Sequence, residues 1–269
     1  MRHGGCLIAL GMSYGLQISA SGLFTAMYRQ DVYANNLANA DTPGFKPDIP
    51  SAMPRDVVRR EDGVQYLPSN PLLERLGAGA LLNRNAISFA QGSLRTTGNA
   101  LDVAITGSGF LTVRDREDGK PVTRLTRDGR LSRNAAGTLV LASSGAAVLD
   151  ERGNPISIPS GPSPTIDGDG TIRQNGAAIA QLRVIDVPEP QRLGKVGNSL
   201  FSVSEADLRK ATPATGRLTQ RAIEESGADE IKTIMDMTSA SRSVDAQVAL
   251  IQQHDRLMDR AINGLGRVA

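Results

Sequence analysis

Ten positions near the C-terminus alternate in spacings of three and four without a break: Ile234, Met237, Ser241, Val244, Val248, Ile251, Asp255, Met258, Ile262 and Leu265. Eight of the ten are apolar and the pattern lasts more than four heptads, which limits what this segment can become. A helix cannot bury such a stripe alone; it needs a partner along its whole length. The spacing predicts a helix from about Ala228 to Asn263, ended by Gly264 and Gly266. At 1.5 Å per residue it would be roughly 50 Å long. A surface helix on a globular body could also carry an apolar stripe, but the length and strict seven-residue period favour a coiled coil.

A second seam lies at the other end. From Ser13 to Asn39 the pattern is helical, with Ala20, Leu23, Met27, Gln30, Ala34 and Leu37 recurring at alternate spacings of three and four. Pro43-Gly44 ends it, giving a helix about 35–40 Å long. Its last turns are loaded with Asn35, Asn36 and Asn39. Asn is a mediocre helix former, because its amide competes for backbone hydrogen bonds. Two readings stand. Either the helix frays there, with Asn tolerating the left-handed cap conformation, or Asn35 and Asn39, on one face, belong to a polar seam against another helix or subunit.

Between the helices, residues 45–84 read as an irregular linker, rich in Pro and polar groups. From about residue 85 the chain becomes short strands separated by turns. Strand candidates are Leu101 to Ile105, Phe110 to Val113, Thr138 to Leu141, Ala146 to Leu149, Pro155 to Ile158, Thr171 to Arg173, Ala178 to Val187 as the longest, and Leu200 to Val203, which closes the set. Asp118-Gly119 is a strong hairpin signal. Further turns fall at Asp128-Gly129, Asn134 to Gly137, Ser144-Gly145 and Gly153-Asn154-Pro155. Strands without intervening helices argue for an antiparallel β domain. The expected fold class is α+β: an antiparallel β-rich central domain inserted between N- and C-terminal helices that pack as a coiled coil. The expected divisions are an extension at 1–11, the first helix in 12–44, the linker at 45–84, the β-rich domain at 85–210 and the last helix in 211–269.

Composition narrows the function. Thirty basic and 28 acidic residues give a net charge of +2, too balanced to recruit nucleic acid or a membrane surface. With 3% aromatic residues and no Trp, the core is expected to be aliphatic. No run of 18 apolar residues exists, so no segment reads as a membrane span. Cys6 is the lone cysteine, which excludes a disulfide framework and a cysteine zinc site. The apolar run after it is too short for a clear signal peptide. Met12 is the expected initiator, since residues 1–11 add nothing to the helical pattern.

No catalytic, cofactor or metal constellation emerges. Gly107-Ser-Gly109 has Thr112 where a dinucleotide fingerprint needs its third glycine. Asp167-Gly-Asp-Gly170 has Thr171 and Ala178 where a calcium loop needs acids, so it reads as a hairpin turn. His254 lies beside the C-terminal seam with no nucleophile arranged around it. Glu224-Glu225 reads as solvated surface, and Ser226 as a candidate N-cap with Asp229 three residues on.

Several motifs fall in one order. Asn35-Asn36-Leu37-Ala38-Asn39 is followed by Asp41-Thr42-Pro43-Gly44-Phe45-Lys46. Phe89-Ala-Gln-Gly92 precedes Thr97-Gly-Asn-Ala-Leu-Asp-Val-Ala-Ile105 and Gly107-Ser-Gly-Phe110. Then come Leu125-Thr-Arg-Asp-Gly129, Gly137-Thr-Leu-Val140, Gly145 to Leu149 and Gly153-Asn-Pro-Ile-Ser-Ile-Pro159. Together these resemble the bacterial flagellar rod and hook axial protein family over nearly the whole chain from Met12. Within it, Val187-Pro-Glu-Pro-Gln191 and Gly197-Asn-Ser-Leu-Phe201 look more like the proximal rod protein than the distal one. The chain departs from the family pattern at Leu125 and Leu131, where aromatic residues are usual, and at Arg242-Ser-Val-Asp-Ala-Gln247 and Ser226-Gly-Ala228.

The resemblance implies a structural subunit of the basal-body rod, not an enzyme, assembling helically into the drive shaft for motility. It implies a periplasmic span, export through the flagellar export apparatus without a cleaved signal, and as partners other rod subunits, both self and neighbouring, and hook-base proteins. It implies no cofactor, no nucleic acid and no direct membrane insertion. The subunit interface would use Leu23, Met27, Ala34, Asn35, Asn36, Leu37 and Asn39 of the first helix, and Ile234, Met237, Val244, Val248, Ile251, Met258 and Ile262 of the last. The competing reading is a periplasmic β-domain enzyme or ligand binder with a coiled-coil oligomerisation stalk.

Overall fold

The computed structural model of the chain describes residues 4–57, 60 and 77–265. A helix near each end, α1 (Gly4–Ala38) and one at Glu230–Leu265, brackets a middle region dominated by antiparallel strands, as the α+β reading expects. The chain forms two compact units. The first takes residues 1–37, 48–86 and 230–269; the second takes 38–47 and 87–229.

In the first unit α1 is continuous from Gly4, so residues 4–11 are helical, contrary to the expectation that the helix starts at Met12. Residues 1–3 lie outside the described residues. Strands β1 (Asp48–Pro54) and β2 (Ala80–Ile87) pair with each other. This corrects the irregular linker. Period-2 alternation was hidden there by Pro50 and Pro54 on β1 and by the four consecutive exposed residues on β2. Beyond the strands the pairing continues, Arg55 N–H donating to Gly79 O at 2.9 Å. Ala80 N–H reaches Ser21 Oγ at 3.3 Å, which docks the hairpin on α1.

The second unit contains sixteen of the described strands and a short helix. The strands are β3 (Leu94–Thr96), β4 (Val103–Thr106), β5 (Phe110–Glu117), β6 (Lys120–Thr126), β7 (Leu131–Arg133), β8 (Leu139–Leu141), β9 (Ala147–Val148), β10 (Thr165–Ile166), β11 (Thr171–Gln174), β12 (Ala177–Gln181), β13 (Val184–Asp186), β14 (Gly194–Gly197), β15 (Leu200–Ser202), β16 (Thr212–Pro213), β17 (Arg217–Gln220) and β18 (Ala222–Glu224). The short helix is α2 (Glu205–Lys210), capped by Ser204 Oγ on Asp207 N–H; the C-terminal helix is α3. The main sheet has nine strands, ordered β14-β15-β6-β5-β9-β8-β7, with β13 and β16 attached at β5. β10, β11 and β12 make a separate three-stranded sheet.

Local chemistry explains the hairpins. Asp118 and Gly119 have φ of 50° and 77°, the primed turn that the Asp-Gly pair favours, and they set Glu117 opposite Lys120. Asp169 Oδ1 accepts the Thr171 N–H at 2.9 Å, closing the β10–β11 hairpin where the sequence suggested a turn. That bond holds the Asp169 carboxyl below its usual pKa.

Other expectations need correction. The segment Ala178 to Val187 is two strands, because β12 pairs with β11 while β13 pairs with β5 and β16. Pro155 to Ile158 makes only isolated bridges, Leu149 to Pro155 and Thr138 to Ser157. Leu200 to Val203 does not close the set. Residues 212–224, expected to lead directly into the last helix, form β16, β17 and β18. β17 pairs with β4 and β18 with β3, partners more than 100 residues upstream that no local pattern reveals.

The larger core is aliphatic, as composition predicts, built from Val103, Ile105, Leu111, Val113, Leu139, Leu141, Val148 and Ile172 among others. A second cluster concentrates the scarce aromatics. Phe89, Phe110 and Phe201 meet with ring centroids 5.5–5.9 Å apart. Offset and edge-on contacts of this kind add to area burial.

Gly129 shows how tightly the β unit is packed. A Cβ there would lie 1.6 Å from the Val103 carbonyl oxygen, and Val103 N–H already donates to Gly129 O at 3.0 Å. Gly129→Ala is therefore expected to destabilise by more than about 4 kcal/mol, at the far end of single-substitution effects. Urea unfolding of the full chain measures it; a loss under 1 kcal/mol would show that β4 can move away.

Candidate assembly interface

Three Asn side chains crowd the end of α1, and the structure gives them different work. Asn36 is 4% exposed. Its Nδ2 donates to Asp48 O at 2.8 Å and its Oδ1 accepts the Asp48 N–H at 2.9 Å. An amide side chain thus imitates a neighbouring strand and fixes where β1 begins. This removes Asn36 from the expected surface set. Asn39 Oδ1 accepts from Thr42 Oγ1 at 3.2 Å in the turn that follows the helix. Among the described residues the non-glycine residues with positive φ do not include Asn39, so it is no left-handed cap. Asn35 is exposed on the helix surface.

The segment after that turn, Pro43-Gly44-Phe45-Lys46, is buried in the second unit. Gly44 N–H donates to Glu224 O at 2.8 Å, and Gly227 N–H to Phe45 O at 2.9 Å. Gly44 has φ of 68°, and a Cβ on it would meet the Arg127 carbonyl carbon at 2.5 Å, so glycine is required twice over. Phe45 packs under the Lys195 ammonium, 4.3 Å from its centroid. Lys46 Nζ binds Glu224 Oε1 at 2.5 Å and Ala90 O at 2.8 Å, with both charged side chains fully buried. Glu224 Oε1 also accepts the Gly92 N–H at 2.9 Å, and Oε2 takes Arg127 at 3.3 Å. Arg127 donates onward to Gly107 O at 2.9 Å and lies 5.2 Å from the Phe110 ring centroid. Burial pushes the Lys46 pKa down, and Glu224 opposes that shift.

Glu224 was expected at the surface and is instead the centre of a buried cluster. The sequence signal was weak: an acid beside two apolar residues, with its cation 178 positions away. Asp128, read as part of a turn, is also buried and grips Arg130 through both carboxylate oxygens at 3.0 and 2.9 Å. That grip holds the Arg130 pKa up.

In the first unit α1 and α3 run antiparallel. Gly15 lies against His254 and Gly22 against Gln247; Cβ atoms there would come within 2.8 and 3.0 Å of those side chains. A polar cavity of about 310 Å³ follows, with Tyr33 and Asp236 in its wall. Burial and the Asp236 carboxylate raise the Tyr33 pKa. The covered face of α3 includes Thr233, Asp236, Met237, Ala240, Ser241, Val244, Gln247, Ile251, His254 and Ala261. It shares Met237, Ser241, Val244 and Ile251 with the heptad seam. Its other row is displaced by one residue, to small or polar side chains. Ile234, Val248, Met258 and Ile262 remain exposed. On α1, Met27 and Ala34 are exposed, and Leu23 and Leu37 half-buried. His254, read as lying beside the seam, faces Gly15.

No described helix is long and apolar enough to cross a membrane. Residues 16–46 match the family described as Flagella basal body rod protein, and residues 104–174 match the Flagellar hook protein FlgE/F/G D1 domain. The chain is similar to the flagellar basal-body rod protein FlgF of Mesorhizobium japonicum, 29% identical over 95% of this chain and 99% of the relative. It is similar to the rod protein FlgG of Agrobacterium fabrum, 29% identical over 90% and 95%. It also resembles the flagellar hook-basal body complex protein FlhP of Bacillus subtilis, 28% identical over 90% and 96%.

The buried cluster makes an asymmetric prediction. Glu224→Gln leaves the Lys46 and Arg127 cations without their counter-charge and is expected to destabilise by about 3–5 kcal/mol. Lys46→Met removes one cation and leaves Arg127 paired, so it is expected to cost less. Equal losses in chemical unfolding would show that the cluster is not organised around Glu224.

Proposed function

We propose that this chain, a member of the flagellar basal-body rod protein family, is a structural subunit of the rod. The carrying observation is the apolar surface the helices leave uncovered. Phe24 of α1 is 65% exposed; on α3, Ile231, Met235 and Ile262 are 75%, 67% and 64% exposed. Large apolar side chains left this exposed along both helices support an interaction face. The occupants are helices of neighbouring axial subunits, including further copies of this chain, packed as a coiled coil around a shaft. Heterologous contacts that do not close a ring generate such a helical assembly. Leu23, Met27, Ala34, Asn35, Leu37 and Asn39 of α1 would join Ile234, Met237, Val244, Val248, Ile251, Met258 and Ile262 of α3 in contacts within and between subunits. The protein works mechanically in the basal body beside other rod and hook components. Passage through the export apparatus without a cleaved signal, and a position spanning the periplasm, complete the reading. The ordered motifs support both.

The exposed seam allows a clean test. Val248 is 38% exposed, so Val248→Asp is expected to change the stability of the free chain by no more than about 0.5 kcal/mol. In an assembled seam the same carboxylate would be buried without a partner, a penalty of several kcal/mol. Cells carrying Val248→Asp are expected not to build the rod or swim, while His254→Ala cells swim. Motility lost in His254→Ala with rods intact would refute the structural role.

Hydrogen exchange on the dilute free chain offers an independent check. Helices whose stripes lack partners open easily. Amides of α1 and α3 are expected to exchange faster than those of β5, β6 and β8. Equal protection would mean that the seam is satisfied within one chain.

A further inference from the structure

A cleft of about 450 Å³ in the second unit is walled by the Pro159–Pro164 loop, the Gly98–Leu101 turn and the side chains of Arg133 and Arg221. Its lining contains two guanidinium groups and no carboxylate. Asp102, which follows the Gly98–Leu101 turn, is buried and engaged with Thr97 Oγ1 at 2.6 Å and Asn99 Nδ2 at 2.9 Å. The charged side chains of the lining are therefore all cationic.

The walls are held in place by side-chain amides. Gln174 Nε2, from the buried side of β11, donates to Pro159 O at 3.3 Å and Pro162 O at 2.7 Å. Gln220 Nε2, from β17, donates to Ala100 O at 2.6 Å and Pro164 O at 2.9 Å. Arg133 Nε fixes the start of the loop through Ile158 O at 2.9 Å. A loop rich in proline and pinned at four carbonyls loses little freedom when something binds beside it.

Arg221 is the telling residue. It joins β17 to β18 with φ of 61°, and its backbone is bonded on both sides, N–H to Asp102 O at 2.7 Å and O from Thr97 N–H at 2.8 Å. The turn demands a left-handed residue, for which glycine is the unstrained choice. An arginine there is strained, and local strain of this kind marks positions where the side chain has a use. No hydrogen bond or ion pair engages the Arg221 guanidinium among the described residues.

We propose that this cleft is an anion-recognition site that receives a carboxylate side chain of a neighbouring axial subunit. The choice of occupant rests on the rod-subunit reading; the choice of chemistry rests on the unengaged Arg221 guanidinium, whose planar fork matches a carboxylate, with the Arg133 charge beside it although its Nε and Nη2 hold Ile158 O and Ser160 Oγ. The β unit would thereby contribute a charge-selective contact in addition to the apolar seam of the helices. Apolar stripes on related subunits resemble one another, so a charged key outside the seam discriminates between neighbours.

Arg221→Gly separates the role from the fold, because it removes the charge and relieves the strain together. The probe is a capped glutamate tripeptide titrated into the full-length chain at low salt, followed through the amide signals of Gly161 and Ser163, with inorganic sulfate in a parallel titration. Saturable tripeptide binding that sulfate matches poorly is expected. It should weaken by about tenfold or more in Arg221→Gly, in line with the loss of one charge-assisted contact. Arg221→Gly is expected to unfold at the same or a higher temperature. Binding of sulfate as tight as the tripeptide would assign the cleft to a free anion and overturn the protein-carboxylate assignment. Absent binding, or binding unchanged in Arg221→Gly, would overturn the site altogether. In cells, normal rods with Arg221→Gly would overturn this contact and leave the rod reading, tested separately by Val248→Asp, untouched.

Discussion

Glu224 holds two buried cations, Lys46 and Arg127, and the second unit is organised around it. A carboxylate without exposure is tolerated only when its oxygens are filled, and here Lys46, Gly92 N–H and Arg127 fill them. The arrangement brings together the segment by which the chain leaves α1 and the segment by which it approaches α3. Gly44 bonds the backbone of Glu224, and Gly227 bonds that of Phe45. Most of the chain lies between these two points in sequence, yet they are hydrogen-bonded neighbours. Closing so long a loop is entropically unfavourable, though the cost grows only slowly with length. The charged cluster and the backbone bonds around it offset that cost at one place.

How much of this the sequence disclosed depends on the range of the forces involved. Local signals read well. The Asp118-Gly119 and Asp167–Gly170 turns, both long helices and the aliphatic strands β4, β5 and β8 follow from short-range patterns. Pairings at long sequence separation did not. β17 and β18 return to β4 and β3, and nothing in residues 212–224 points to partners that far upstream. The motif around Gly44 resembles a family signature, while its physical content lies in contacts with residues far away in sequence. The glycine avoids the Arg127 backbone, the lysine finds Glu224, and the asparagine at Asn36 stands in for a strand.

The helix seams carry a separate lesson. Apolar periodicity identified one stripe on α3, but the helix turns a face one residue away toward its own chain. Gln247 and His254 meet Gly22 and Gly15, where the absence of side chains lets the helices approach. A hydrophobicity pattern cannot see such a face, because its determinant is small volume and not apolar character. The two faces share Met237, Val244 and Ile251, so the sequence pattern was half right about either one.

That offset matters for assembly. If the whole apolar stripe of α3 were satisfied within the chain, the free protein would be a finished structure with little apolar surface left to offer a neighbour. Instead Met237, Val244 and Ile251 share the intramolecular contact with small and polar side chains, and Ile234, Val248 and Ile262 remain on the outside. Fully burying large aliphatic side chains such as these is worth about 1.5–3 kcal/mol each, so the exposed row keeps a driving force that a contact with another molecule would release. The aliphatic core of the β unit needs no such completion. The chain thus divides its hydrophobic surface in two, one part buried on folding in the β unit and the other still exposed on the helices, where a neighbour can cover it.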